Sequence, residues 1–198
     1  MRKFLVGASA AAALALIAGC GSSNATDSSG GSTGATSSAA QAGHNADDIT
    51  FAQGMIPHHA QAVEMAKLVP SRSTDKKVLD LASRIQQAQD PEIKQLTDML
   101  TTWGSAPSSM PGMDHSMPGM DMGGVGMMTA DEMRQLTQAK GAEFDRMWTQ
   151  MMIKHHEGAI DMAKTELAKG SSAEAKALAQ KIVDAQQAEI TEMRGVVK

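Results

Sequence analysis

The sequence predicts an all-α fold: a ferritin-like four-helix bundle made of two repeated helical hairpins with a long Met-rich crossover. Three observations predict it. Two segments match at a constant offset of 97 positions, helix start and stop signals bracket both copies, and one long Gly/Pro/Met stretch separates them. Asp48–Lys67 aligns with Asp145–Lys164 through shared Asp, Gln, Met, Ile, His, His, Ala, Met, Ala and Lys, with Phe51/Trp148, Val63/Ile160 and Glu64/Asp161 as conservative pairs. The same offset continues without a gap, pairing Leu81, Ala82, Ile85, Ala88, Gln89, Glu92 and Ile93 with Leu178, Ala179, Ile182, Ala185, Gln186, Glu189 and Ile190. The unit that repeats is therefore a pair of helices.

Residues 1–19 read as a signal peptide, because Arg2 and Lys3 precede an apolar run, Phe4–Ala18, too short for a comfortable membrane span. Leu16-Ile17-Ala18-Gly19-Cys20 resembles the bacterial lipobox, which makes Cys20 the expected lipidation site. The expected location is outside the cytoplasm, lipid-anchored to the bacterial cell membrane. Cys20 is the only cysteine, so no intramolecular disulfide forms and core packing or a metal must hold the fold. Residues 20–43 are rich in Ser, Gly, Thr and Ala with almost no large apolar side chain, so they cannot offset the entropy of ordering and read as a flexible tether. Residues 44–198 remain for one domain: repeat one 44–104, the crossover 105–128 and repeat two 129–198. The net charge of −4 becomes −6 once Arg2 and Lys3 leave with the signal, which argues against nucleic acid as a partner.

In repeat one, Asn45 can start a helix with Asp47 and Asp48 in its first turn and a stop near Val69-Pro70. A second helix starts around Ser73 or Thr74 and ends at Gly104. Pro57 lies inside the first helix and frees the carbonyl of Gln53, so a kink beside the histidines is expected. In repeat two, Thr129-x-x-Glu132 and Ser171-x-x-Glu174 read as capping boxes, and Gly170 suits a helix C-terminus. Gly141 divides a short lead-in helix from a long one.

Helical spacing puts Met55, His58, His59, Ala62, Met65 and Ala66 on one arc of about 120°. The same arc in repeat two holds Met152, His155, His156, Ala159, Met162 and Ala163, while Glu64 and Asp161 fall opposite. Methionine stripes alone fit ordinary core packing. Two adjacent inward histidines are costly to bury without partners, and here they occur twice in the same frame. Neutral imidazole suits copper, zinc and iron, and thioether selects Cu(I), so copper leads and other transition metals follow. The candidate metal ligands are His58, His59, His155 and His156, with Met55, Met65, Met152 and Met162 as ligands or supports. Asp48 and Asp145 share the arc, yet eleven residues of helix span about 16 Å and keep each from its own histidine pair. In an antiparallel crossing each would approach the other helix's site and orient its imidazoles. For Asp48, a first-turn acid favouring the helix dipole is the simpler alternative.

The crossover carries Met110-Pro-Gly-Met113-Asp-His115-Ser-Met117-Pro-Gly-Met120-Asp-Met122. Exposed thioethers gain little from packing, so Met113, His115 and Met117 are candidates for metal capture, with Cu(I) at sulfur and Cu(II) at His115. A Gly/Pro linker that is Met-rich by chance is the bland alternative.

His44-Asn45, Phe51-x-x-x-Met55-Ile56-Pro57-His58-His59 and Phe144-Asp145-x-x-x-x-x-Met151-Met152-Ile153-x-His155-His156-Glu157-Gly158-Ala159 together resemble one family. It is the secreted ferritin-like family catalogued as domain of unknown function three hundred and five, with CopM-type copper-binding proteins among its members. The resemblance covers about Gly43 to the C-terminus and implies a four-helix bundle outside the cytoplasm, associated with copper tolerance or trafficking. It implies no activity, and it says little about the crossover.

The leading functional reading is a binding protein that sequesters or hands on copper at the cell surface, rather than a catalyst. A second copy of the chain and a copper-accepting protein are the candidate partners besides the metal and the membrane. Three alternatives remain. A ferritin-like redox enzyme would need inward carboxylates and Glu-x-x-His pairs, and here the acids after each histidine pair point outward, although Glu92 and Glu189 match across the repeat. A b-type haem bundle would use His/Met axial ligands. A structural lipoprotein would bind nothing.

Overall fold

The computed structural model describes residues 43–106 and 125–196. Cys20, Met113, His115 and Met117, with the expected signal peptide and all of the expected tether but Gly43, lie outside the described residues. Among the described residues the chain is all helical, with five helices and no strand: α1 (Ala46–Leu68), α2 (Lys76–Thr102), α3 (Ala130–Gln138), α4 (Gly141–Lys169) and α5 (Ala173–Val196). A short 3-10 turn, Val69–Ser71, closes α1 at the Val69-Pro70 stop.

The caps explain the boundaries. The Asn45 side chain accepts from the Asp47 and Asp48 amides while the Asp48 carboxylate accepts from the Asn45 amide, a capping box that fixes the start of α1. Pro57 sits within α1, which stays helical to Leu68. The start of α2 differs from expectation: Asp75 caps it, accepting from Lys77 and Val78, because the Ser73 hydroxyl is already used by the Asp75 amide. Thr129 and Glu132 form the expected box on α3, and Gly141, at φ +59°, makes the left-handed turn into α4. At α5 the cap moves by one residue. Asp48 takes the Ser171 amide, and it is Ser172 whose hydroxyl accepts from Ala175. Gly170 ends α4 in extended rather than left-handed geometry; a Cβ there would sit 2.0 Å from the Glu166 carboxyl.

Each hairpin pairs its two long helices, α1 with α2 and α4 with α5, and the hairpins join through α1 on α4 and α2 on α5. α1 and α4 run antiparallel. The Trp148 indole donates to the Met65 carbonyl at 3.0 Å near one end, and at the other Asp48 accepts from the Ser171 and Ser172 amides. Two apolar clusters fill the bundle, one around Val78, Ile85, Leu136, Phe144 and Trp148, the other around Phe51, Leu96, Leu100, Leu178 and Ile182. Between the two clusters each of the four long helices carries a polar pair: His58-His59, Gln89 with Glu92 and His155-His156, all buried, and buried Gln186 with half-buried Glu189.

Candidate functional site

That polar layer is the candidate site, and its histidines are 0–1% exposed. His58 of α1 lies against His155 of α4, ring centroids 3.8 Å apart. His59 Nε2 is 2.9 Å from the Glu92 carboxylate, and His156 Nε2 is 2.7 Å from that of Glu189. His58 Nε2 faces the backbone carbonyl of Val125 at 3.2 Å. The other five of the eight ring nitrogens, Nδ1 of His58, His59 and His156 and both nitrogens of His155, are buried without a partner. The side-chain amides of Gln89 and Gln186 are also buried with unmatched atoms.

Burial, with repulsion from His59 next, lowers the His58 pKa to about 3, and burial followed by His58 holds His155 well below the ordinary imidazole range. Both rings are neutral at neutral pH, the form that ligates metals. The Glu92 carboxyl stays below its usual range: desolvation opposes this, but His59 and Lys181, 3.2 Å away, outweigh it. Donor chemistry and unmatched nitrogens fit a soft or borderline metal. Among the described residues, however, no three His, Cys, Asp or Glu side chains converge in a ready-made ligand set.

A short strap at the end of the crossover, Val125 to Met128, covers the layer. Gln61 both accepts from the Met128 amide at 2.8 Å and donates to its carbonyl at 2.9 Å. Gly158 makes room for the strap: a Cβ there would lie 2.0 Å from the Val125 oxygen.

The structure brings together the four histidines and buries Met55, Met65 and Met152 on the same faces, with Met162 half-buried over Gly54. It does not bring the aspartates. The crossing centres on His58 and His155, which leaves Asp48 ten residues, about 15 Å, further along α1. There it binds the α4–α5 turn and faces Glu166, whose pKa is raised to about 8 by burial and then by Asp48. Asp145 lies at the equivalent distance from His155 and lines a surface cavity with Asp75, Glu143 and Arg146. The expectation that the acids after each histidine pair point outward holds for exposed Asp161, while Glu64 is half-buried; Glu92 and Glu189, which the sequence marks as a matched pair, are the carboxylates that reach the histidines. The His58–His155 contact leaves no gap for a porphyrin plane between the two rings.

The profile of the domain of unknown function DUF305 matches residues 48–197, which is most of the chain. The protein belongs to the DUF305 family. A DUF305 protein of Streptomyces coelicolor described as secreted has 34% identity and a TM-score of 0.67, covering 76% of this chain and 91% of its own. CopM in its Cu(II)-bound form is 30% identical with a TM-score of 0.64, over 76% of this chain and 95% of CopM. The Cu(I)-bound form of CopM gives 28% and 0.60, over 75% and 93%. An uncharacterized protein of Acanthamoeba polyphaga mimivirus is 37% identical over 54 residues, which span 27% of this chain and 36% of that relative.

Proposed function

We propose that this DUF305 protein binds copper through the histidine layer and sequesters or hands on the metal outside the cytoplasm. The observation that carries the reading is the set of five buried, unmatched imidazole nitrogens at the α1–α4 crossing. Each unmatched buried polar atom costs about 1–3 kcal/mol, so the layer weakens the metal-free fold, and a metal that takes the one lone pair of each neutral ring offsets most of that cost. The solved copper-bound forms of CopM, a relative sharing the fold, support copper as that metal.

His58, His59, His155 and His156 are the proposed imidazole donors. Since no three such groups converge, binding requires the rings to turn or thioethers of Met55, Met65, Met152 and Met162 to complete the set. Met113, His115 and Met117 in the crossover are proposed capture ligands. Asp48 and Asp145 are proposed to act only at a distance, by holding the helix ends. Lipidation at Cys20 would place the domain on the membrane's outer side, and membrane fractionation of wild type against Cys20→Ala checks it.

Isothermal titration with Cu(II) and with Cu(I) tests the central reading. Replacing His58 and His59 by Ala, or His155 and His156, is expected to abolish the layer's binding, with little further loss when both pairs go, because one shared site is non-additive. Wild-type affinity and stoichiometry in the fourfold variant would show that the histidines are core residues.

A further inference from the structure

We infer that Glu92 and Glu189 are positioning residues that fix which nitrogen His59 and His156 offer to a metal. Each carboxylate holds the Nε2 proton, and Nδ1 is the ligating atom. The inference rests on the reading of the histidine layer as a metal site.

A neutral imidazole carries one N–H donor and one lone pair, and the partner on one nitrogen decides the role of the other. A carboxylate only accepts, so the contacts of 2.9 Å at His59 and 2.7 Å at His156 require the proton on Nε2 in both rings. In the neutral ring the lone pair is then on Nδ1, and in both residues Nδ1 is buried with no protein partner. The arrangement occurs twice at one spacing, 33 residues from histidine to glutamate in each hairpin. His58 reaches the same state by another route, since the Val125 carbonyl also only accepts. His155 alone has neither nitrogen committed. Three rings therefore present Nδ1 by construction, and the fourth can offer either atom. Carboxylates placed behind metal-bound imidazoles in this way fix ring orientation and raise ligand basicity.

The test is nitrogen-15 NMR of the imidazoles in the full chain, metal-free and after addition of Ag(I), a diamagnetic stand-in for Cu(I). In the metal-free protein His59 and His156 should both be Nε2–H tautomers; Nδ1–H at either overturns the assignment. Glu92→Ala should let an Nδ1–H population appear at His59 while His156 stays unchanged, and Glu189→Ala should do the converse. Unchanged tautomers in both variants would show that the glutamates position nothing. Ag(I) should shift Nδ1 of both rings, leave the Nε2 protons in place, and bind about 10–100-fold more weakly to either variant. Loss of the Nε2 protons on binding overturns the Nδ1 assignment. If no ring nitrogen responds to Ag(I) or copper, the metal reading fails and takes the ligating role of Nδ1 with it, while the tautomers still decide whether the glutamates fix the protons. Circular dichroism checks that each variant folds; should one not, the wild-type tautomers and the other variant decide.

Discussion

The two hairpins share a register of 97 residues, yet their copies of the same position do opposite things. Gln61 in α1 grips the Met128 backbone with both ends of its amide, while its counterpart Gly158 in α4 has no side chain and lets Val125 and Gly126 pass. The strap therefore leans on both helices but bonds only to the imidazole of the first, His58, and leaves His155 without a partner on either nitrogen. The carboxylates differ in the same way. Glu92 is bridged to Lys181 of the other hairpin, whereas Arg84, which holds that position in repeat one, pairs with Glu192 and Asp80 and not with Glu189. Duplication supplies a symmetric frame, and single side chains then make its halves unequal.

The sharpest way to break this comparison is Gly158→Ala. Its Cβ would fall 2.0 Å from a backbone oxygen of the strap, which cannot swing aside as a side-chain tip can. We expect a loss of about 1–3 kcal/mol in urea unfolding, together with loss of the His58–Val125 hydrogen bond. Gly54→Ala is the control. Only Met162 Sδ stands near, at an ordinary 3.7 Å, and a helix-interior glycine replaced by alanine should hold or gain stability. Unchanged unfolding in Gly158→Ala would mean that the strap does not need this notch.

A second difference lies at the hairpin ends, where Glu166 of repeat two stands in place of Val69 of repeat one. Glu166 is raised from 4.5 to about 8 and is therefore protonated in the folded protein at neutral pH. Because the folded state holds this proton more tightly, Glu166 adds stability that is full below pH 4.5 and is lost as pH rises to about 8. His58 acts with the opposite sign: its folded pKa of about 3 lies below the usual 6.5, so it withdraws stability as pH falls through that interval. Glu166→Gln should flatten the alkaline limb of the stability profile and spare the acidic one. An alkaline limb identical to wild type in denaturant titrations across this range would argue against a proton held on Glu166.

The smallest expected effect sharpens the carboxylate contrast. Lys181 is largely exposed, so Lys181→Ala should cost no more than about 1 kcal/mol in thermal unfolding despite ending the one lysine or arginine contact of Glu92 among the described residues. A larger loss would mean that Glu92 depends on Lys181 in a way that Glu189 does without.

The frame was legible because helical periodicity and an exact repeat are local properties of the chain. The face carrying His58, His59, Met55 and Met65, the cap at Asn45 and the break at Gly141 all follow from residues close in sequence. Contacts set by how helices cross were not. Glu92 and Glu189 are marked in the sequence only as a matched pair, and it is hairpin geometry that brings each across 33 positions to its histidine. Asp48 was placed on the correct face, but only the crossing point reveals that it overshoots the histidines and meets Ser171 and Ser172. Gln61 and Gly158 carry no such signal, since nothing in the pattern of either helix announces a third segment between them.

His58 and His155 are equivalent residues that touch each other, which places the local dyad of the molecule between their rings. The layer is thus an isologous dimer interface enclosed within one polypeptide. Were the hairpins separate chains, the paired rings would come apart on dilution by mass action; joined by the crossover, they meet at an effective concentration set by chain length. The completeness of the His58–His155 pair is therefore independent of how scarce the protein is.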